Sequence, residues 1–107
     1  MSNYRTHQPQ HLLNLMERTA GLAANKRLIV MTYALLPADR SGTVEKMGRE
    51  IAEFLNLTEA VFSRARRQLI EEGWLEQSSE LGNIKYYRLT PKATGEQVVV
   101  PLRRTAT

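Results

Sequence analysis

The spacing of apolar residues predicts that the first part of the chain folds as helices. Leu12, Leu15 and Met16 recur three and four positions apart, which places them on one face of an amphipathic helix that begins at about His11. Leu13 widens this apolar stripe. Two destinations for the stripe stay open: the core of its own domain, or a second copy of the chain.

A second helix is predicted over residues 26–36, where apolar side chains cover most of the helical circumference. We therefore expect this helix to be buried on nearly all sides. Gly21 separates it from the first helix, Asn25 is its expected N-cap, and Pro37 ends it.

Apolar residues at helical spacing predict a third helix over residues 46–55 and a fourth over residues 59–72, with a tight corner at residues 56–58. The inner side of the fourth helix is expected to carry Phe62, Ala65, Leu69 and Ile70. Thr58 is the expected N-cap of this helix and Gly73 its left-handed stop, so the sequence marks both of its ends.

The pattern then changes to that of strands. Residues 74–79 and 84–89 are predicted strands, and the Gly-Asn pair at residues 82–83 favours a hairpin turn between them. Trp74 is most simply a core residue at the root of the hairpin. A very short strand is also predicted at residues 43–44. The predicted order is therefore helix, helix, short strand, helix, corner, helix and hairpin.

Composition narrows the class of protein. The chain has 107 residues, enough for one domain, and its 42% hydrophobic and 24% charged residues are typical of a globular protein. No apolar run approaches the ~20 residues of a membrane span, and the polar start lacks the apolar core of a secretory signal. The absence of cysteine excludes a disulfide scaffold and a thiolate metal site, and it fits a cytoplasmic protein.

The two ends of the chain carry less structural signal. Residues 1–10 are polar and are expected to form a flexible arm, so that a single domain covers residues 11–107. His7 and His11 have no carboxylate partner at metal-ligand spacing, and we expect both to be exposed without a metal. The β-branched run at residues 98–100 fits an added strand or an extension of a helix.

The charge favours an anionic partner. Eleven Arg and four Lys against eleven acidic residues give a net charge of +4 and an isoelectric point near 9.8, which favours association with nucleic acid. The excess is uneven, because residues 58–84 carry −2 and residues 85–107 carry +4. An anion-binding surface must therefore arise from the arrangement of the chain in space.

The stretch IAEFLNLTEAVFSRARRQLIEEGWL, residues 51–75, resembles the winged helix-turn-helix family of DNA-binding proteins. The turn of that family has a small residue, an apolar residue, Gly, a second apolar residue and Ser at set places. This chain has Ala52, Leu55, Asn56, Leu57 and Thr58 there. Asn replaces the usual Gly and is the next residue to tolerate a positive φ, and Thr replaces Ser with the same capping chemistry.

Residues beyond the turn extend the resemblance. Phe62, Leu69 and the exit at residues 73–75 match a recognition helix that runs into the first strand of a wing. Residues 87–91 look like the return strand of MarR-like regulators and RepL-type plasmid replication initiators. The resemblance covers about residues 27–91. It implies a mainly α fold with a small β-hairpin, namely a winged helix-turn-helix with an extra N-terminal helix.

The resemblance implies a prokaryotic, sequence-specific, double-stranded DNA-binding transcriptional regulator, a repressor that acts as a homodimer on a pseudo-palindromic site in the cytoplasm, at the nucleoid. The dimer interface is expected on the first helix, at Leu12, Leu13, Leu15 and Met16. Two alternatives stay open. One is a plasmid replication or partition factor; the other is a winged-helix protein-interaction module without a DNA role, which the −2 charge of residues 58–84 favours.

The predicted contacts follow from the geometry of DNA, whose major groove admits one α-helix while the preceding helix braces it across the backbone. The contacts expected on the outer side of the fourth helix are Thr58, Glu59, Ala60, Ser63, Arg64 and Arg67. Arg66 is expected to point sideways, toward a phosphate or an acidic side chain. The contacts expected at the hairpin tip are Gly82, Asn83 and Lys85. Either Arg64 or Arg67 can fork onto guanine O6 and N7.

Several of these residues also have a plainer interpretation. The arginines can form a solvated helix face, with Arg67 paired to Glu71 one turn away. Glu59 can accept a hydrogen bond from cytosine or stabilise the helix dipole, and we favour the dipole. Of Lys85 and Arg88, one is expected to face DNA while the other shields the core, and Lys85 lies nearer the tip.

The inventory of reactive groups does not favour an enzyme. The chain has no cysteine, no glycine-rich phosphate loop, and no histidine placed with a serine or an acid in a catalytic motif. We therefore expect no catalytic activity, no cofactor and no bound metal, and we predict no small-molecule ligand.

Overall fold

Four helices and a hairpin follow one another in the predicted order. The structure, a computed structural model, describes residues 9–95. Its elements are α1 (Pro9–Arg18), α2 (Ala24–Leu35), α3 (Gly48–Phe54), α4 (Glu59–Glu71), β1 (Leu75–Leu81), β2 (Ile84–Leu89) and α5 (Pro91–Thr94). The described part of the chain thus has five helices and a two-stranded antiparallel hairpin, an order compatible with a winged helix.

Three of the predicted features fall wholly or mostly outside the described residues: most of the arm at residues 1–10, His7, and the run at residues 98–100. Within the described part, no helix has both the length and the apolar character that a membrane span requires.

The core lies where α2, α3 and α4 meet. Its largest buried side chains include Ile29, Val30, Ile51, Phe62 and Leu69, each at most 2% exposed. Full burial of an apolar side chain of this size contributes roughly 1.5–3 kcal/mol to folding. Because two of these residues belong to α4, the core fixes which side of that helix faces inward.

α1 packs on its own domain. It begins at Pro9, two residues earlier than predicted, because a proline in the first turn needs no partner for the N–H group it lacks. Leu15 is buried and Leu12 is half-buried against the core, whereas Leu13 and Met16 are exposed. Of the two destinations left open for this stripe, the core of the same chain takes Leu15, which is therefore not available to a second subunit.

α2 differs from its prediction at its start and on its outer side. Asn25 is not the N-cap, because the helix already begins at Ala24 and includes Asn25 in its first turn. Ile29 is buried on the inner side, but Leu28 and Leu35 are exposed. The expectation of burial on nearly all sides is wrong for residues 9–95, since no element in this range covers the outer side of α2.

The corner between α3 and α4 has the predicted chemistry. Asn56 has φ 59°, and within residues 9–95 it is the one residue other than glycine with a positive φ. The Leu57 N–H donates to the Ala52 carbonyl oxygen at 2.9 Å, which closes the corner. Thr58 caps α4 as predicted, with its hydroxyl oxygen accepting from the Val61 N–H at 3.1 Å. These bonds set the position at which α4 begins.

The hairpin is tight and is tied to the loop before α3. Its strands pair from Leu75 opposite Leu89 to Leu81 opposite Ile84, so the first strand runs two residues further than predicted and the Gly-Asn pair at residues 82–83 forms the turn. Val44 forms an antiparallel bridge with Tyr87, and its N–H donates to the Tyr87 carbonyl oxygen at 3.0 Å. The short strand predicted at residues 43–44 is therefore present as a single bridge.

The short helix α5 was not predicted. Lys92 carries its ammonium 4.7 Å from the centroid of the Trp74 ring and donates to the Glu72 carbonyl oxygen at 2.7 Å. Trp74 is buried, as expected for the root of the hairpin. Arg18 donates to the Lys92 carbonyl oxygen, so α5 joins the end of α1 to the end of α4.

Adjacent residues of α4 provide a test of its orientation. Leu69 is buried, whereas Ile70, expected on the inner side, is 37% exposed because it lies 100° further round the helix. We expect Leu69→Ala to lower the free energy of unfolding by about 2–5 kcal/mol, and Ile70→Ala to lower it by less than about 1 kcal/mol. Urea unfolding followed by circular dichroism measures both, and equal losses would contradict this orientation.

Candidate nucleic-acid interface

The outer side of α4 carries most of the predicted contact residues. Phe62, Ala65 and Leu69 are buried at helical spacing, so the residues between them turn outward. The exposed residues on and beside this side are Thr58, Glu59, Ala60, Ser63, Arg64 and Arg67. The structure therefore brings six of the ten predicted DNA contacts onto one continuous surface.

The guanidinium groups of Arg64 and Arg67 have no partner within residues 9–95. Neither makes a hydrogen bond, and the pair of Arg67 with Glu71 considered as the plainer alternative is not formed within 4.0 Å. Both guanidinium groups are therefore exposed to solvent. Both side chains keep all of their hydrogen-bond donors available for an anion or a base edge.

Arg66 has a different environment from its two neighbours. It is half-buried, and its guanidinium carbon lies 5.2 Å from the centroid of the Phe62 ring and 4.4 Å from that of the Tyr87 ring. Such contacts are worth roughly 0.5–2 kcal/mol each. Arg66 pairs with no acidic side chain in the described chain, and it links α4 to the second strand of the hairpin.

Gly48 and Tyr33 complete the surroundings of Arg66. A Cβ atom on Gly48 would lie 2.5 Å from a terminal nitrogen of Arg66 and 3.1 Å from the Phe62 ring, so the glycine lets α3 approach α4 closely. The Tyr33 hydroxyl is buried and forms no hydrogen bond of regular geometry within residues 9–95, although the Arg66 guanidinium lies close enough to act on it both as a charge and as a weak donor. Burial raises the pKa of Tyr33 above its usual value, and the nearby Arg66 charge opposes part of this rise.

The two basic residues of the hairpin, Lys85 and Arg88, have different surroundings. Lys85 is exposed near the tip, beside Gly82 and Asn83, and has no partner in the described chain. Arg88 is half-buried, donates to the Glu76 carboxylate at 2.8 Å, and donates to the Ser41 carbonyl oxygen at 3.0 Å. Arg88 therefore fastens the hairpin to the preceding loop, and Lys85 remains available for an anion.

Two further cations were not among the predicted contacts. Lys46 lies just before α3 and Arg49 in its first turn; both are exposed and make no hydrogen bond or ion pair within residues 9–95. In a helix-turn-helix, the helix before the recognition helix crosses the DNA backbone. Two basic residues around the start of this helix were the signal for them, although the exposed Glu45 and Glu53 offset their charge.

A metal site has no support in the described chain. No group of three His, Cys, Asp or Glu side chains among residues 9–95 lies close enough together to hold a metal ion. His11 is exposed on α1.

The Tyr33 hydroxyl provides a test of this interior. We expect Tyr33→Phe to raise the free energy of unfolding by up to about 1 kcal/mol at neutral pH, because it removes a buried hydroxyl whose contact with Arg66 falls short of regular hydrogen-bond geometry. Because the raised pKa favours the protonated phenol in the folded state, wild-type stability is lost as pH rises above 10, and the advantage of the variant should widen there. Thermal unfolding between pH 7 and pH 11 measures both effects; a loss of stability in the variant would contradict this account.

Comparison of the chain with models of protein families, with curated proteins and with solved structures finds no match. The function of this surface must therefore be argued from its own residues.

Proposed function

We propose that this chain is a sequence-specific double-stranded DNA-binding protein of winged-helix fold, with α4 as its recognition helix. The observation that carries the proposal is the state of Arg64 and Arg67. They lie three positions apart on the exposed side of α4, without a partner in residues 9–95, on a helix whose other side is anchored in the core.

The proposed contact uses the helix as a rigid support for two forked donors. The major groove accepts an α-helix, and a bidentate Arg–guanine pair discriminates by about 1–3 kcal/mol against a wrong base. Because Phe62, Ala65 and Leu69 prevent α4 from rotating, Arg64 and Arg67 enter the groove with little freedom to lose beyond their own rotamers.

Shorter side chains would set the position of α4 against the backbone. The Thr58 hydroxyl oxygen is occupied as the cap of α4, but its O–H remains able to donate to a phosphate. Ser63 is exposed on the same surface. Lys85 on the hairpin, Lys46 before α3 and Arg49 on α3 would add phosphate contacts outside the groove, which position the protein without reading sequence.

The proposed biological role is control of transcription by a homodimer bound to a pseudo-palindromic site in the cytoplasm. Two recognition helices one helical turn apart, ~34–36 Å, would read the two half-sites. Binding at a promoter excludes polymerase, and this requires no further domain.

Selection of binding sites from random duplexes distinguishes this role from its alternatives. A symmetric site in a promoter region supports the regulator. A site confined to a replication origin would replace regulation by replication control. The absence of salt-dependent binding to any duplex would remove the DNA role and leave a surface for a protein partner.

The two arginines provide the first mutational test. We expect Arg64→Ala and Arg67→Ala each to weaken binding to the selected site by about 1–3 kcal/mol, with the melting temperature unchanged because both side chains are exposed. Arg64→Lys and Arg67→Lys are matched controls, since they keep the charge but lose the planar fork. They should retain non-specific affinity and lose base preference. Fluorescence anisotropy on specific and scrambled duplexes measures this, and unaltered binding of both alanine variants to the selected site excludes α4 as the reader.

Lys85 provides a second test, because a phosphate contact has a different signature. We expect Lys85→Ala to reduce the slope of log affinity against log salt concentration by about 1, with base preference unchanged. Arg88→Ala serves as the comparison, since Arg88 is already bound to Glu76 and Ser41. A change of base preference in Lys85→Ala would mean that the hairpin reads sequence.

A further inference from the structure

Exposed apolar side chains are frequent on α1 and α2. Seven large apolar side chains are exposed within residues 9–95, and four of them lie on these two helices. They are Leu13 (57% exposed), Met16 (45%), Leu28 (44%) and Leu35 (65%). Contiguous apolar patches are typical of surfaces that bind a partner.

The outer side of α2 has the spacing of a helix-packing seam. Ala24, Leu28, Met31 and Leu35 follow one another at intervals of four, three and four positions, on the side opposite buried Ile29 and Val30. We define these four residues as the α2 seam. No residue of the seam is charged, so the seam suits another apolar helix.

A groove beside the seam extends this surface to α1. Its volume is about 440 Å³, and it is lined by Met16, Leu22, Ala24, Arg27, Leu28 and Met31. The one charged group in the lining, the Arg27 guanidinium, already donates to the Met16 carbonyl oxygen at 2.8 Å and to the Thr19 hydroxyl at 3.3 Å. The surface therefore offers apolar contact and no unsatisfied charge.

We propose that this surface binds a second copy of the same chain, with the two α2 helices antiparallel about a two-fold axis. An antiparallel pairing places Ala24 against the partner's Leu35, and Leu28 against the partner's Met31. The smallest residue of the seam thus meets the most exposed one, which gives an even spacing between helices. A parallel pairing would set Leu35 against its own copy and leave a gap at Ala24.

The absence of charge favours a copy of the chain over a different protein. A two-fold interface repeats every residue, so one unpaired charge near its axis would meet an identical charge. The residues that flank the seam on one side, Asn25 and Thr32, are neutral, and Arg27 on the other side is engaged within its own chain. The α2 seam therefore has no unpaired charge that a two-fold axis would place against its own copy.

The dimensions of the face also fit a small dimer. The twelve residues of α2 give a length of about 18 Å, and α1 beside it adds a second helix diameter of about 10 Å. A face of these dimensions offers several hundred Å² to each partner, near the lower bound of roughly 600 Å² per partner for a specific interface. The inference rests on the proposed function in one respect, since it names the interface of the homodimer that the regulatory role requires. A monomeric chain would remove both the interface and that role, whereas loss of DNA binding by α4 would leave the dimer intact.

The first experiment is sedimentation of the full chain at micromolar concentrations. We expect dimers in the wild type and monomers in the double variant Leu28→Glu, Leu35→Glu. Because both side chains are exposed, the double variant should still fold, with the helix content and the cooperative melting of a folded domain. Leu81→Glu is the matched control: Leu81 is exposed on the hairpin, and its variant should remain dimeric. A monomeric wild type, or dimers in the double variant, overturns the proposal.

The second experiment tests the antiparallel arrangement by cross-linking. The chain has no cysteine, so single substitutions report one position each. We expect a mixture of Ala24→Cys and Leu35→Cys chains to form mixed disulfides on mild oxidation. Ala24→Cys alone should form none, because the two copies of position 24 lie about 16 Å apart along the helices, beyond the ~7 Å between Cα atoms that a disulfide allows. Disulfides between two Ala24→Cys chains, with no mixed disulfides between Ala24→Cys and Leu35→Cys chains, would overturn the antiparallel arrangement.

Discussion

The burial of one side of α4 determines what its other side can do. Phe62, Ala65 and Leu69 lock the rotation of this helix against α2 and α3, and the helical period then turns Arg64 and Arg67 outward. The corner adds a second constraint, since the positive φ of Asn56 and the cap at Thr58 fix where α4 starts. The orientation of α4 and the position of its first residue together leave two cations exposed on a rigid helix. This is the basis of the proposed DNA contact.

The three arginines of α4 show how a step of one residue changes a role. Arg66 lies 160° from Arg64 as counted round the helix at 100° per residue, and this turns its guanidinium to the rings of Phe62 and Tyr87. It joins the helix to the hairpin instead of facing outward. Gly48 leaves the room for this arrangement. The hairpin and α4 are therefore held as one unit, as the proposed contact with groove and backbone requires.

Local chemistry was sufficient to predict the corner, the capping of α4 and the hairpin turn, because each depends on residues that are neighbours in sequence. It was insufficient where the outcome depends on distant elements. Asn25 is a good capping residue, yet α2 starts before it. Leu28 and Leu35 were expected to be buried, but within residues 9–95 no element reaches them. The stripe of α1 was left between two destinations, and only the packing places Leu15 in the core. That Arg66 contacts Tyr87 depends on a strand 21 positions away in sequence, for which no local pattern exists.

The central claim is that Arg64 and Arg67 read base edges in the major groove, and methylation interference at guanine N7 tests it most directly. A methyl group at N7 blocks the forked donors of an arginine and leaves the phosphates unchanged. The account predicts that methylation of particular guanines in the selected site abolishes wild-type binding, and that Arg64→Ala or Arg67→Ala makes binding indifferent to one of those guanines. Two results would contradict the claim that these arginines read base edges: wild-type binding that no guanine methylation affects, or an interference pattern that is the same in each variant as in the wild type.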